Sequence, residues 1–234
     1  DKFRCASHCL KLQKITLTVS SKHLKMKHLL SILALAIFIS CSNKNSSLLV
    51  IDPSIKNEAK EHFSISKYGN NIQGLMLYEN DMGIEYFESN KLLKSIKLKE
   101  QNKSTFKSYF TSKQDTLYID GLFGLWGGSG FSIKIINGQP KLFHVANSDD
   151  FPSYSTTKNG DYKQFVEIPC TNTKIILSKQ PVKNEKDTIF GYVEFNSANY
   201  FVFPGSADGK ELGPRKEISI NMKTYFQTKW VDLK

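Results

Sequence analysis

Between residues 72 and 230 the sequence is cut into thirteen short β-prone runs of five to eight residues. They are Ile72–Glu79, Ile84–Glu88, Leu92–Leu98, Thr105–Phe110, Thr116–Asp120, Phe131–Ile136, Lys141–Val145, Tyr162–Ile168, Lys174–Ser178, Thr188–Phe195, Asn199–Phe203, Glu217–Met222 and Tyr225–Trp230. Each is rich in β-branched or aromatic residues and bounded by Gly, Asn, Asp or Ser, which is how strands and their turns are written. Many short strands at this spacing predict an all-β fold, an antiparallel β-sandwich in preference to a β-barrel. Asn137-Gly138, between two such runs, predicts a tight hairpin, because both residues accept the positive φ that the turn demands. Asn196–Asn199 predicts a second hairpin, and Asp208-Gly209 a longer loop. One short N-terminal helix is expected over Pro53–His62, with Asp52 as its cap and Pro53 in the first turn.

Upstream of this domain the pattern changes. Met26-Lys27-His28 precedes eleven apolar or small residues, Leu29 to Ile39, and then Ser40-Cys41-Ser42. The run suits a signal-peptide core of about 7–15 residues and falls short of the ~20 that a spanning helix needs. Phe38-Ile39-Ser40-Cys41 resembles the lipobox of bacterial lipoprotein signal peptides, with Phe38 where a Leu usually stands. The resemblance covers residues 26–42. It implies cleavage before Cys41, lipidation of its thiol and acylation of the new amine, the two or three chains giving a stable membrane anchor. It also implies an address. Ser42 replaces the Asp that retains some Gram-negative lipoproteins at the inner membrane, and no acidic cluster follows. The periplasmic face of the outer membrane is therefore the expected location. The implied division is an over-extended, functionless N-terminus (1–25), a signal peptide (26–40), a lipidated Cys with polar tether (41–47) and a single β-rich domain (48–234).

The leader also accounts for most of the charge. The whole chain carries +10, but residues 1–40 contain seven Lys/Arg and one acid, leaving 25 basic against 21 acidic residues, or +4. A balance of that size solvates a surface and makes no footprint for nucleic acid. Six lysines between Lys91 and Lys107 read as the wet face of an edge strand, where they discourage aggregation. Cys170 has no partner once Cys41 is lipidated, and reads as a small buried hydrophobe.

Candidate sites are few. The glycine-rich segment Gly121–Phe131 lacks the Lys-Ser/Thr of a phosphate loop and the second Gly of a nucleophile elbow. Its reading is a tight corner, with Trp126 plugging the core or, alternatively, offering an indole face to a ligand. Ser129 and His144 join Trp126 as a possible ligand platform. Alternation places Leu142 and His144 on one face of their strand, and His144 is expected to face solvent. A Ser129–His144–Asp149 or Asp150 triad can be drawn, but nothing in the spacing demands it. No catalytic residue, metal or cofactor is assigned. The expectation is a non-enzymatic envelope lipoprotein that binds a protein or glycan partner. The alternatives are an assembly accessory of an outer-membrane machine and, less favoured, an envelope-polymer hydrolase. Cys41→Ala is expected to abolish palmitate labelling and release the chain from membranes, while a variant still labelled and still sedimenting would contradict the anchor.

Overall fold

The computed structural model describes residues 48–64, 76–99, 103–124, 127–205, 210 and 212–232, all within the unit Asn45–Lys234. Cys41, Trp126 and residues 72–75 lie outside these. The chain runs β1 (Leu48–Ile51), α1 (Ile55–Lys60), β2 (Phe63–Ser64), β3 (Met76–Asn80), β4 (Gly83–Glu88), β5 (Lys91–Ile96), β6 (Ser104–Lys113) and β7 (Thr116–Phe123). It continues through β8 (Gly128–Ile136), β9 (Gln139–Asn147), β10 (Tyr154–Ser155), β11 (Phe165–Leu177), β12 (Ile189–Ser197), β13 (Tyr200–Val202) and β14 (Lys216–Thr228). The fold is all-β, and its strands form one curled sheet, a half-barrel. Every pairing of named strands is antiparallel except β1 on β11.

The curl comes from two 13-residue strands, each of which the sequence suggests should be two. The first half of β11 pairs with β9 as far as Pro169↔Phe143, and the second half pairs with β12 from Cys170↔Ser197. Pro169 has no N–H to give, and it stands where the strand leaves one partner for the other. A register shift between Thr171 and Lys174, with Asn172 at φ +50°, turns the strand there. A bulge of this kind bends and twists a strand without ending it. One strand thus carries the sheet around a corner.

β14 brings the sheet back on itself. Its outer edge pairs with β4 over Ile218–Lys223, which leaves Thr224–Thr228 without a strand on that side. Side chains of β3 and β6 take the place of that strand. The Tyr78 hydroxyl accepts the Gln227 N–H at 2.8 Å and donates to the Gln227 carbonyl at 3.0 Å. Ser108 donates to the same carbonyl, and Asn80 Nδ2 donates to the Tyr225 carbonyl at 2.7 Å. Beyond β14, Lys229 O accepts the Phe110 N–H at 2.9 Å and Phe110 O accepts the Val231 N–H at 2.7 Å. The two edges of the curled sheet are therefore held together by hydrogen bonds. Inside lie Phe106, Phe110, Phe131, Phe195 and Phe226, all fully buried. Burial of each such ring stabilises the fold by roughly 1.5–3 kcal/mol.

Several local expectations hold. Asn137 (φ +50°) and Gly138 (φ +75°) form the two-residue turn between β8 and β9. A short helix does follow Asp52, whose Oδ1 accepts the Ser54 N–H at 2.9 Å, but Ser54 and not Asp52 is its cap, and α1 is two residues shorter at each end than expected. Ile55 and Ala59, one turn apart, pack on Phe190 and Tyr192 of β12, so this strand is covered on both faces. β5 is an edge strand paired only with β4, with Lys91 and Lys94 exposed.

The second hairpin expectation fails. Asn196–Asn199 is not a hairpin, since β12 and β13 both pair with β14 in the same direction, through Asn196↔Asn221 and Tyr200↔Ile218. The segment is a bulge within one long run. Ala198 N–H leaves the ladder to bond the Pro169 carbonyl at 2.8 Å, while Ser197 Oγ accepts the Ile220 N–H at 2.9 Å in its stead. Turn-forming residues serve a bulge as well as a hairpin, and only the partner strand distinguishes them.

Tyr78→Phe leaves the buried Gln227 N–H without its partner and is expected to destabilise the fold by about 1–3 kcal/mol in urea unfolding. A loss below about 0.5 kcal/mol would place the closure elsewhere.

Candidate functional site

A cavity of about 620 Å³ opens at the end of the half-barrel where β7 turns into β8. Volumes of about 300–1,000 Å³ are typical of small-molecule sites, and barrel mouths are a common place for them. Its walls come from strands distant in sequence. Tyr86 enters from β4, Leu93 and Lys94 from β5, Ser129 and Ala146 from β8 and β9, Tyr154 from β10, and Tyr200 and Val202 from β13. These meet because the curl of the sheet brings β13 and β14 opposite β8 and β9. Phe123 and Gly128, the last and first residues of β7 and β8, also line it.

The lining is apolar and aromatic, with no carboxylate among its residues. Burial raises the phenol pKa of Tyr86, Tyr154 and Tyr200, and the mutual proximity of the three phenols raises that of Tyr200 further. All three are neutral at physiological pH, so each offers a hydroxyl and a ring face. The Tyr154 and Tyr200 rings lie 6.3 Å apart. Ser129 Oγ is buried and makes no well-formed hydrogen bond, although the Tyr86 hydroxyl lies near enough to influence it. At the rim, Lys216 is 3.6 Å from Glu88, and Lys94 lies on the exposed strand β5.

Of the residues singled out from sequence, Ser129 lines this cavity and His144 stands behind its wall. His144 faces the core and not solvent: it is fully buried, with its ring 5.3 Å from Tyr200 and 6.2 Å from Phe195. Alternation correctly groups it with Leu142, but a polar residue biases the choice of face toward water. Here the polarity is absorbed by the backbone, because His144 Nδ1 lies 3.0 Å from the Gly130 carbonyl while Nε2 is buried without a partner. Burial pushes its pKa down to about 4, so the imidazole is neutral.

The triad that can be drawn on paper is not assembled. His144 Nδ1 is engaged by Gly130, and Asp149 and Asp150 are exposed. Trp126 lies outside the described residues. The described part of the glycine-rich segment is the expected tight corner: Gly124 has φ +111°, and a Cβ on it would lie 1.9 Å from the Gly127 carbonyl. Cys170 is half-buried, its thiol pushed up to about 12 by burial, and Sγ lies 3.6 Å from the Ile168 carbonyl. That is the small hydrophobe anticipated from sequence. Among the described residues no three His, Cys, Asp or Glu side chains gather as metal ligands would. Nor is any described helix long and apolar enough to cross a membrane.

Sequence reasoning missed the three tyrosines. Tyr86 alternates with the buried Ile84, so a core-facing tyrosine was the available signal, whereas Tyr154 sits on a two-residue strand that carries none. No family model, curated protein or solved structure matches this chain.

His144 generates a pH dependence. An unfolded histidine titrates near 6.5 and the folded one near 4, so between these values the unfolded chain binds the additional proton. Stability is full above about pH 6.5 and is lost as the pH falls towards 4, by as much as about 3 kcal/mol. His144→Leu is expected to flatten the change in urea midpoint between about pH 7 and 4.5. An unchanged slope would mean that another group carries it.

Proposed function

We propose that this protein is a lipoprotein of the cell envelope, anchored through Cys41 at the periplasmic face of the outer membrane. Its β domain is a non-enzymatic binding module that takes an apolar, ring- or chain-bearing ligand in the tyrosine-lined cavity. The observation that carries this reading is the cavity itself. A mouth of about 620 Å³ walled by Phe, Tyr, Leu, Val, Ile and Met rewards the transfer of apolar surface from water. Three neutral phenols supply the few polar groups that orient such a ligand. The resemblance of residues 26–42 to a lipoprotein leader supports the address. The modest charge of the chain after Ser40 argues against nucleic acid as the partner.

The purified protein is expected to enhance the fluorescence of N-phenyl-1-naphthylamine saturably. Ala146→Phe, which fills the cavity from β9, is expected to weaken that binding about tenfold or more. Leu93→Lys, at an exposed position of the rim, is expected to weaken it less and to leave thermal stability unchanged. Absence of saturable binding, or binding indifferent to both substitutions, would refute the reading.

A further inference from the structure

The outer face of the same sheet carries a second hollow of different chemistry. A cleft of about 360 Å³ crosses β6, β7, β8, β9 and β11. Gly130 stands opposite Leu122 on one side and Val145 on the other, both in the lining of the cleft. A Cβ on Gly130 would lie 2.0 Å from the Gly121 carbonyl, a backbone atom that cannot step aside. Gly130 therefore lets β8 approach the backbone of β7 closely between these two lining residues.

What surrounds it is polar and aromatic together. Tyr109, Asp120 and Ser132 lie directly opposite one another on three successive strands. The Asp120 carboxylate accepts from the hydroxyls of both neighbours, and its burial raises its pKa. Across the cleft Glu167 pairs with Lys134, whose ammonium sits 4.9 Å from the Phe143 ring centre. Phe165 lies at the cleft's edge, half of its surface exposed, although it is a large apolar residue on a strand. Of the two carboxylates in the lining, Glu167 is neutralised by Lys134 from just outside it, and Lys107 is the cation that the lining itself sets with Asp120. Such balance gives an ion of either sign little to gain. A ring that bears hydroxyls on its edge and an apolar face gains from both features, through charge-assisted hydrogen bonds and contact with aromatic faces.

From this juxtaposition, an outer cleft with offset charges and aromatic walls, we infer that the cleft is a binding site for a neutral saccharide. Its volume, near the lower end of the usual range for ligand sites, suits a short segment of a glycan and not a whole chain. The inference is independent of the cavity at the end of the half-barrel, which opens on the inner face and is lined by other residues.

The test is isothermal titration of the purified protein with maltotriose and tri-N-acetylchitotriose, with spermine and a sulfated polysaccharide as charged competitors. Saturable binding of at least one neutral saccharide is expected, weakened about fivefold or more in Phe165→Ala, an exposed position whose loss leaves folding intact. Asp120→Asn is expected to weaken it comparably, and Ala146→Phe, which blocks only the inner cavity, to leave it unchanged. The inference is overturned if neither saccharide binds, if spermine or the polyanion displaces the sugar completely, or if Phe165→Ala and Asp120→Asn bind as the parent does. Loss of saccharide binding in Ala146→Phe would likewise overturn it by moving the site to the inner cavity.

Discussion

The structure depends on how the open edge of β14 is satisfied. A curled sheet that stops short of a barrel leaves backbone groups facing its own interior, where unpaired N–H and C=O groups are costly. Here Thr224–Thr228 would be such an edge, and Tyr78, Asn80 and Ser108 supply side-chain partners in place of another strand. Tyr78 and Asn80 are almost wholly buried, so their polar atoms have no water to fall back on. Their bonds satisfy the β14 backbone groups and the donors that reach them, while Asn80 Oδ1 stays buried without a partner. This substitution lets β3 and β6 approach β14 and seals the phenylalanine core between them.

Because side chains close only one end of the curl, the other end stays open. At the closed end Asn80 and Tyr78 of β3 bond β14, and the residues after β14 meet β6. At the open end β7, β8, β9, β13 and the start of β14 diverge around the tyrosine-lined cavity. The bulge at Asn196–Asn199 contributes directly. By keeping β13 on β14 it presents Tyr200 and Val202 to the mouth, where a hairpin would have turned them away. The anticipated corner at Gly124–Gly127 has a related effect, since it ends β7 and begins β8 at that rim. The inner cavity and the outer cleft are thus opposite faces of the same strands, one apolar and one polar, as alternation in a curled sheet permits.

Much of the strand inventory was legible because alternation and turn chemistry are local. Asn137-Gly138 needed no tertiary information, for its two positive φ angles follow from residue type. The long strands were not legible. Pro169 through Asn172 carries every mark of a loop, and it stays extended only because β9 holds one side and β12 the next. His144 shows the same limit for a site. Its alternation partner Leu142 was evident, but which face is the interior depends on strands far away in the chain, and the Gly130 carbonyl that accommodates its ring is on a neighbouring strand.

The sequence by itself determined that the chain is all-β, where one hairpin turns and that a short helix follows Asp52. These follow from periodicity, from backbone preferences of single residues and from composition, all of which act over a few positions. Only the tertiary structure decided that the sheet curls into a half-barrel, that His144 is buried and neutral, and that three tyrosines from separate strands share one cavity. The reason is physical. Curl, burial and cavity shape arise from pairings between segments more than a hundred residues apart, such as Tyr78 with Gln227, and a local pattern carries no record of its distant partner.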